Sequence, residues 1–223
     1  MRLLITDLTV MHGGNFCVAG WDLDAHRMVR PLPEGHHWTA DLVDQYGIEP
    51  GVLVGIALTG RPHSGVYPHL TEDAEVDPAS VQVIDRRPYN WFGPDAPTVD
   101  ASIDAIFSGA IQFSRVWNRY RKGCFVRKEQ NVRSLGAVIV HRDWLEPYED
   151  EYEGRNSLRV KLYDGTERYD IPVVDSTLRA CDTAVDVNRY LPRSGRLHVR
   201  VGLARAWEKK PDQCTLMLNG IRW

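Results

Sequence analysis

Hydrophobic positions come in short runs, alternating with polar ones or contiguous, and nearly every run is closed by glycine or proline. Residues 2–6, 15–23 and 27–30 read as strands. His12-Gly13-Gly14-Asn15 forms a turn between the first two, and Asp24-Ala25-His26 a tight connection between the second pair. Pro31 and Pro33 stop the pairing, because proline brings no N–H to a ladder. Glu49-Pro50-Gly51 introduces an apolar strand at 52–59, which Gly60-Arg61-Pro62 ends, and 81–85 is a fifth candidate. Short strands so punctuated predict a small β-barrel rather than a βαβ repeat.

The pattern changes after the breaker cluster Gly93-Pro94-Asp95-Ala96-Pro97. Ile103, Ile106, Phe107, Ala110, Ile111 and Phe113 include helical spacings, so a helix is expected over part of 98–120, although Gly109 costs it about 1 kcal/mol. Strands return at 135–141, 158–163 and 166–174. The last two flank Asp164-Gly165, a strong signal for a type I′ hairpin turn. Asp175-Ser176-Thr177 is placed to cap a helix running to about Tyr190, and strands at 197–204 and 214–221 close the chain around a polar turn at 208–212. Both halves share one grammar of several short strands and a helix. The expected architecture is mainly β with a few helices: a first barrel at 1–95, a helical connector at 96–123 and a second barrel at 124–223.

Composition narrows the class. The chain has 223 residues, of which 43% are hydrophobic and 26% charged, values at which a packed core is expected. It has no run of 18 apolar residues, and its opening residues turn polar too early for a secretory signal, so a cytoplasmic protein without a membrane span is expected. Cys17, Cys124, Cys181 and Cys214 lie far apart and read as reduced thiols. Neither His36-His37 nor His63 and His69 has metal-ligand spacing, and nucleophile elbows and phosphate loops are missing; no metal, no cofactor and no enzymatic activity is expected.

The formal net charge of −3 is unevenly spread: residues 1–92 carry −6 and residues 93–134 carry +3. The cations of the middle segment crowd into 115–133, and an acidic run from Asp143 to Glu153 follows. One reading has these two runs neutralising each other or forming solvated faces; the other has the basic stripe following phosphates. Aromatic rings interleave with the cations, in Arg86-Arg87-Pro88-Tyr89-Asn90-Trp91-Phe92 and again at Trp117, Tyr120 and Phe125. Single-stranded nucleic-acid sites combine these two ingredients, cations for phosphates and exposed rings for bases. The competing reading makes Trp91, Phe92, Trp117 and Phe125 core anchors, as large aromatics usually are, and leaves Tyr89 and Tyr120 as the rings expected to be exposed.

Cys17-Val18-Ala19-Gly20 followed by Val29-Arg30-Pro31, and at the other end Val199-Arg200-Val201-Gly202-Leu203-Ala204-Arg205-Ala206-Trp207 with Cys214-Thr215-Leu216-Met217-Leu218-Asn219-Gly220-Ile221, resemble the prokaryotic dual OB domain proteins. Ala206 stands where that family tends to have proline. The resemblance implies two tandem OB-like barrels, recognition of nucleic acid or nucleotides, and no catalytic residues. The expected site comprises Arg30, Arg86, Arg87, Tyr89, Trp91, Arg119, Tyr120, Arg121, Lys122, Arg127, Lys128 and Arg205, contacting single-stranded DNA or RNA. The alternative is a protein-interaction or nucleotide-sensing module of a prokaryotic defence or mobile-element system, with the basic stripe receiving an acidic protein partner.

Overall fold

A computed structural model describes every residue except 34–36, 61–64, 87 and 153–154. Arg87, His36 and His63 thus lie outside the described residues. Two compact units result, one of residues 1–65 with 70–97, the other of residues 66–69 with 98–223.

The first unit is a closed five-stranded barrel. Its elements are β1 (Arg2–Val10), β2 (Phe16–Asp22), β3 (Arg27–Leu32), α1 (Ala40–Tyr46), β4 (Leu53–Leu58) and β5 (Asp73–Asp85), in the order β1-β2-β3-β5-β4 with β4 returning to β1. β1 to β3 form an antiparallel meander and β3 runs parallel to β5. Helix α1 bridges β3 and β4. Thr39 caps it by accepting from Leu42 N, and Gly47 ends it in the left-handed conformation. Leu3, Ile5, Val18, Val29, Val54 and Trp38 fill the interior. The expected strand at 81–85 begins at Asp73 instead, because a register shift opposite Gly55 and Ala57 absorbs Pro78 and lets the strand continue.

Arg30 is buried in this unit. Its Nη1 donates to Asp73 Oδ1 at 2.7 Å, and the two side chains are 5% and 0% exposed. The pair fastens the parallel β3–β5 seam, where Arg30 and Asp73 are register partners.

The second unit repeats this plan with an insertion. It contains α2 (Ile103–Ile106), β6 (Gln112–Trp117), β7 (Tyr120–Arg127), β8 (Leu135–His141), β9 (Leu145–Tyr152), β10 (Arg155–Tyr163), β11 (Arg168–Pro172), α3 (Ser176–Arg179), α4 (Ala184–Tyr190), β12 (Arg196–Leu203) and β13 (Gln213–Arg222). The sheet order is β8-β12-β13-β7-β11-β10-β9, and β6 pairs with β7. β8 and β9 are two arms of one strand bent by a 3-10 turn at Arg142–Trp144: one arm pairs with β12, the other with β10. Counting them as one strand gives β-β-β-α-β-β, the order of the first barrel. The parallel contact between third and last strands is here a single bridge, Val173 with Leu218. Elsewhere β7 fills that seam, parallel to β11 and antiparallel to β13. One core runs from Ile103 to Ile221 inside the curl.

Three expectations need correction. The helix expected within 98–120 is one turn, capped by Ser102, because Ser108 and Gly109 both adopt positive φ and break the helical run. The rest of the segment forms the β6–β7 hairpin. The Asp164-Gly165 turn is a four-residue loop between Tyr163 and Arg168, since the Asp164 carboxylate accepts from Thr166 N, Glu167 N and Ile103 N. The two-residue turn occurs instead at Asn118-Arg119, both at positive φ. Asp175 does cap the expected helix, but the segment divides into α3 and α4.

Asp73→Ala removes the buried carboxylate that Arg30 Nη1 donates to and should destabilise the first unit by about 3–5 kcal/mol in urea unfolding followed by tryptophan fluorescence. Arg30→Met combined with Asp73→Leu should recover most of that loss.

Candidate functional site

In an antiparallel ladder, paired residues share a face, and successive residues alternate faces. Leu162, Tyr169 and Ile171 are fully buried in the second core, so Tyr163, Lys161, Arg159 on β10 and Arg168, Asp170 on β11 face outward. Lys122 joins that outer face, since β7 and β11 pair Lys122 with Asp170 and Arg121 with Tyr169. One step back in this parallel register sets Tyr120 beside Arg168.

The consequence is a lateral row. Trp117 pairs with Tyr120, Tyr120 neighbours Arg168, Arg168 pairs with Tyr163, and the Trp144 ring lies 5.0 Å from the Tyr163 ring. The four strands span about 14 Å at their usual spacing. Trp117 is 61% exposed and Trp144 43%, while Tyr120, Arg168 and Tyr163 are half-buried. The Arg168 guanidinium sits 4.7 Å from the Tyr163 ring centroid, a cation–π contact that holds both side chains in place. Tyr163 also donates its hydroxyl to Gly165 O at 2.7 Å. Partly exposed rings can stack on other rings, and the cation among them can meet an anion.

The neighbouring row, Arg115–Lys122–Asp170–Lys161–Glu146, mixes cations with carboxylates, and from Lys122 onward it is tied together. Lys122 Nζ donates to Asp150 at 2.7 Å and Lys161 Nζ to Glu146 at 3.2 Å. Arg159 Nε and the Tyr148 hydroxyl each donate to Asp170 at 2.7 Å. Burial, then the bond to Asp170, raises the Tyr148 pKa and keeps it a phenol. The Lys122 bond holds the Asp150 carboxyl below the usual carboxylate range. Burial pushes the Cys124 thiol up to about 12, Arg121 offsetting only part of it. This row rigidifies the sheet beneath the rings.

The expected site residues divide accordingly. Arg30 is buried, and Trp91 is 7% exposed, packed on Leu4 and Trp21; neither is accessible. Leu4 and Trp21 sit on the outer side of the first barrel, so its own chain covers there the face that is open in the second unit. Tyr89 is half-buried, its hydroxyl donating to Asp95 O at 2.6 Å, and its ring meets Trp91 edge-on. Arg86 pairs with Glu49 at an exposed 3.2 Å contact. In the second unit Arg121 bridges Asp104 and Glu167 and lies over the Phe113 ring, and Lys122 is bound as above. Arg119, Arg127, Lys128 and Arg205 are exposed, and Tyr120 stands in the row. The acidic run does neutralise part of the stripe, at Lys122–Asp150.

Sequence reasoning missed Trp144, Tyr163 and Arg168 and left Trp117 undecided. The outward alternation Arg159, Lys161, Tyr163 before Asp164-Gly165, resuming at Arg168, carried a signal for the cations and one ring. The sequence contains no sign that β7 would lie beside β11. In comparison with known proteins, the family model for a dual OB-containing domain matches residues 1–221. No curated protein matches the chain.

Asp150 has a depressed pKa in the fold, so its bond to Lys122 stabilises above the unfolded carboxyl value and is lost as pH falls below about 4. Thermal unfolding of Lys122→Ala should therefore differ most from the parent near neutrality and converge on it in acid.

Proposed function

This chain belongs to the dual OB-containing domain family, and we propose that it binds single-stranded nucleic acid across the outer face of its second unit. The observation that carries the reading is the row Trp117–Tyr120–Arg168–Tyr163–Trp144. OB barrels use the face of their second and third strands for oligonucleotides, and here β10 and β11 are those strands. Stacking is sequence-tolerant because every base has a π-face, and it contributes about 1–3 kcal/mol per base. Arg168 within the row, with Arg115 and Arg119 on the hairpin, supplies charge for the phosphates.

The neighbouring charged row shapes the expected behaviour. Most of its cations already have carboxylate partners, so few phosphates are neutralised and affinity falls only moderately with salt. Stacking carries most of the affinity. The role is recognition without catalysis: rings stack, cations pair, and no covalent step is invoked.

Fluorescence anisotropy with labelled oligo-dT and oligo-U tests the reading. Binding should be measurable at low salt, and Trp144→Ala and Tyr163→Ala should each weaken it by about five- to a hundredfold. Arg86→Ala, in the first unit, should leave it unchanged. Absence of binding at low salt, or ring variants that bind like the parent, would sink the proposal.

A further inference from the structure

β6 pairs with β7 along one edge, and no other strand pairs with it among the described residues. Asn118 and Arg119 at positive φ make the two-residue turn in which the flanking residues, Trp117 and Tyr120, exchange backbone hydrogen bonds. Backbone direction alternates along a strand, so Arg115 also points its N–H and C=O toward β7. The N–H and C=O of Val116 therefore face the open edge.

This edge lacks the usual protection. Strands left at a border are blunted by proline, bulges or several charges. β6 has no proline, pairs from Gln112 to Trp117 without a register shift, and carries one charge, Arg115. All six residues are exposed, including three large apolar ones: Phe113 at 41%, Val116 at 56% and Trp117 at 61%. Such an edge is a template for another strand.

Charge identifies the occupant. From residue 105 to 128 the chain has no Asp or Glu and six cations: Arg115, Arg119, Arg121, Lys122, Arg127 and Lys128. Arg121 and Lys122 are engaged with carboxylates of their own unit, while Arg115, Arg119, Arg127 and Lys128 are exposed. A second copy of the hairpin would bring like charges together. Phosphates only accept hydrogen bonds, so a sugar–phosphate backbone lying on these cations leaves the outward carbonyls unanswered. An extended peptide answers both donors and acceptors.

We propose that β6 is a strand-addition site for an extended segment of a protein partner in which acidic and apolar residues alternate. The acids meet the hairpin cations and the apolar residues meet Val116 or Trp117. The site shares Trp117, Arg115 and Arg119 with the nucleic-acid reading but is distinguished from it by the β6 backbone edge, which the ring row does not use.

The test uses the full chain and fluorescein-labelled peptides of alternating glutamate and valine or isoleucine. Anisotropy should show micromolar binding, with slowed hydrogen exchange of the outward amides of β6, Val116 among them. Val116→Pro removes an N–H from the open edge while sparing the β7 ladder, and should weaken binding at least about tenfold. Arg115→Glu, which needs no backbone change, should weaken it too, and Tyr163→Ala should not. The proposal is overturned by no binding at about 1 mM peptide, by equal binding of a lysine–valine peptide, by a folded Val116→Pro that binds like the parent, or by an oligonucleotide that slows the same amides.

Discussion

The functional reading depends on one backbone pairing, the parallel contact of β7 with β11. Its register, Arg121 with Tyr169 and Lys122 with Asp170, aligns two hairpins that are distant in sequence. A slip of one residue would turn Tyr120 and Lys122 to the other face and separate Trp117 and Tyr120 from Arg168 and Tyr163. Side chains hold this register from both faces. Arg121 reaches Asp104 and Glu167 on one side, and Lys122 reaches Asp150 and Asp170 on the other. These pairs are partly buried and act together, so a shifted register would leave several charges without partners at once.

The two units show one strand plan put to different uses. In the first, the parallel seam closes directly and carries a buried ion pair, and the outer face receives the chain's own Trp91. In the second, β7 enters the seam and widens the sheet, and the outer face keeps its rings exposed. The insertion also leaves β6 as a border strand with an open edge. Trp91 and Trp144 therefore have opposite roles despite similar polar surroundings in sequence: one completes a small apolar cluster with Leu4 and Trp21, the other extends a row of rings toward solvent.

Much of the architecture could be read in advance because it rests on local signals. Strand alternation, Gly13-Gly14, the Asp22–Arg27 hairpin and the Asp175 cap all act within a few residues, and the family motifs lie at the two ends of the chain. Failures came where a local signal had a nonlocal competitor. Asp164-Gly165 has the composition of a tight turn, but the Asp164 carboxylate also accepts from Ile103 N, and a longer loop forms. The apolar residues at 103–113 fit a helix, yet positive φ at Ser108 and Gly109 stops it after one turn.

The chain by itself determined that there would be two small barrels, where most strands would run, and that cations and rings would concentrate between 86 and 133. It could not decide which of those groups face water. Arg30 and Arg119 are alike in the sequence, as are Trp91 and Trp117, but burial is a property of what packs against a side chain. Those neighbours come from strands far along the chain: β5 for Arg30, β1 and β2 for Trp91, β11 and β10 for the row that includes Tyr120. Only closure of the sheets brings them together, and only then do Trp144, Tyr163 and Arg168 join Trp117 on one surface.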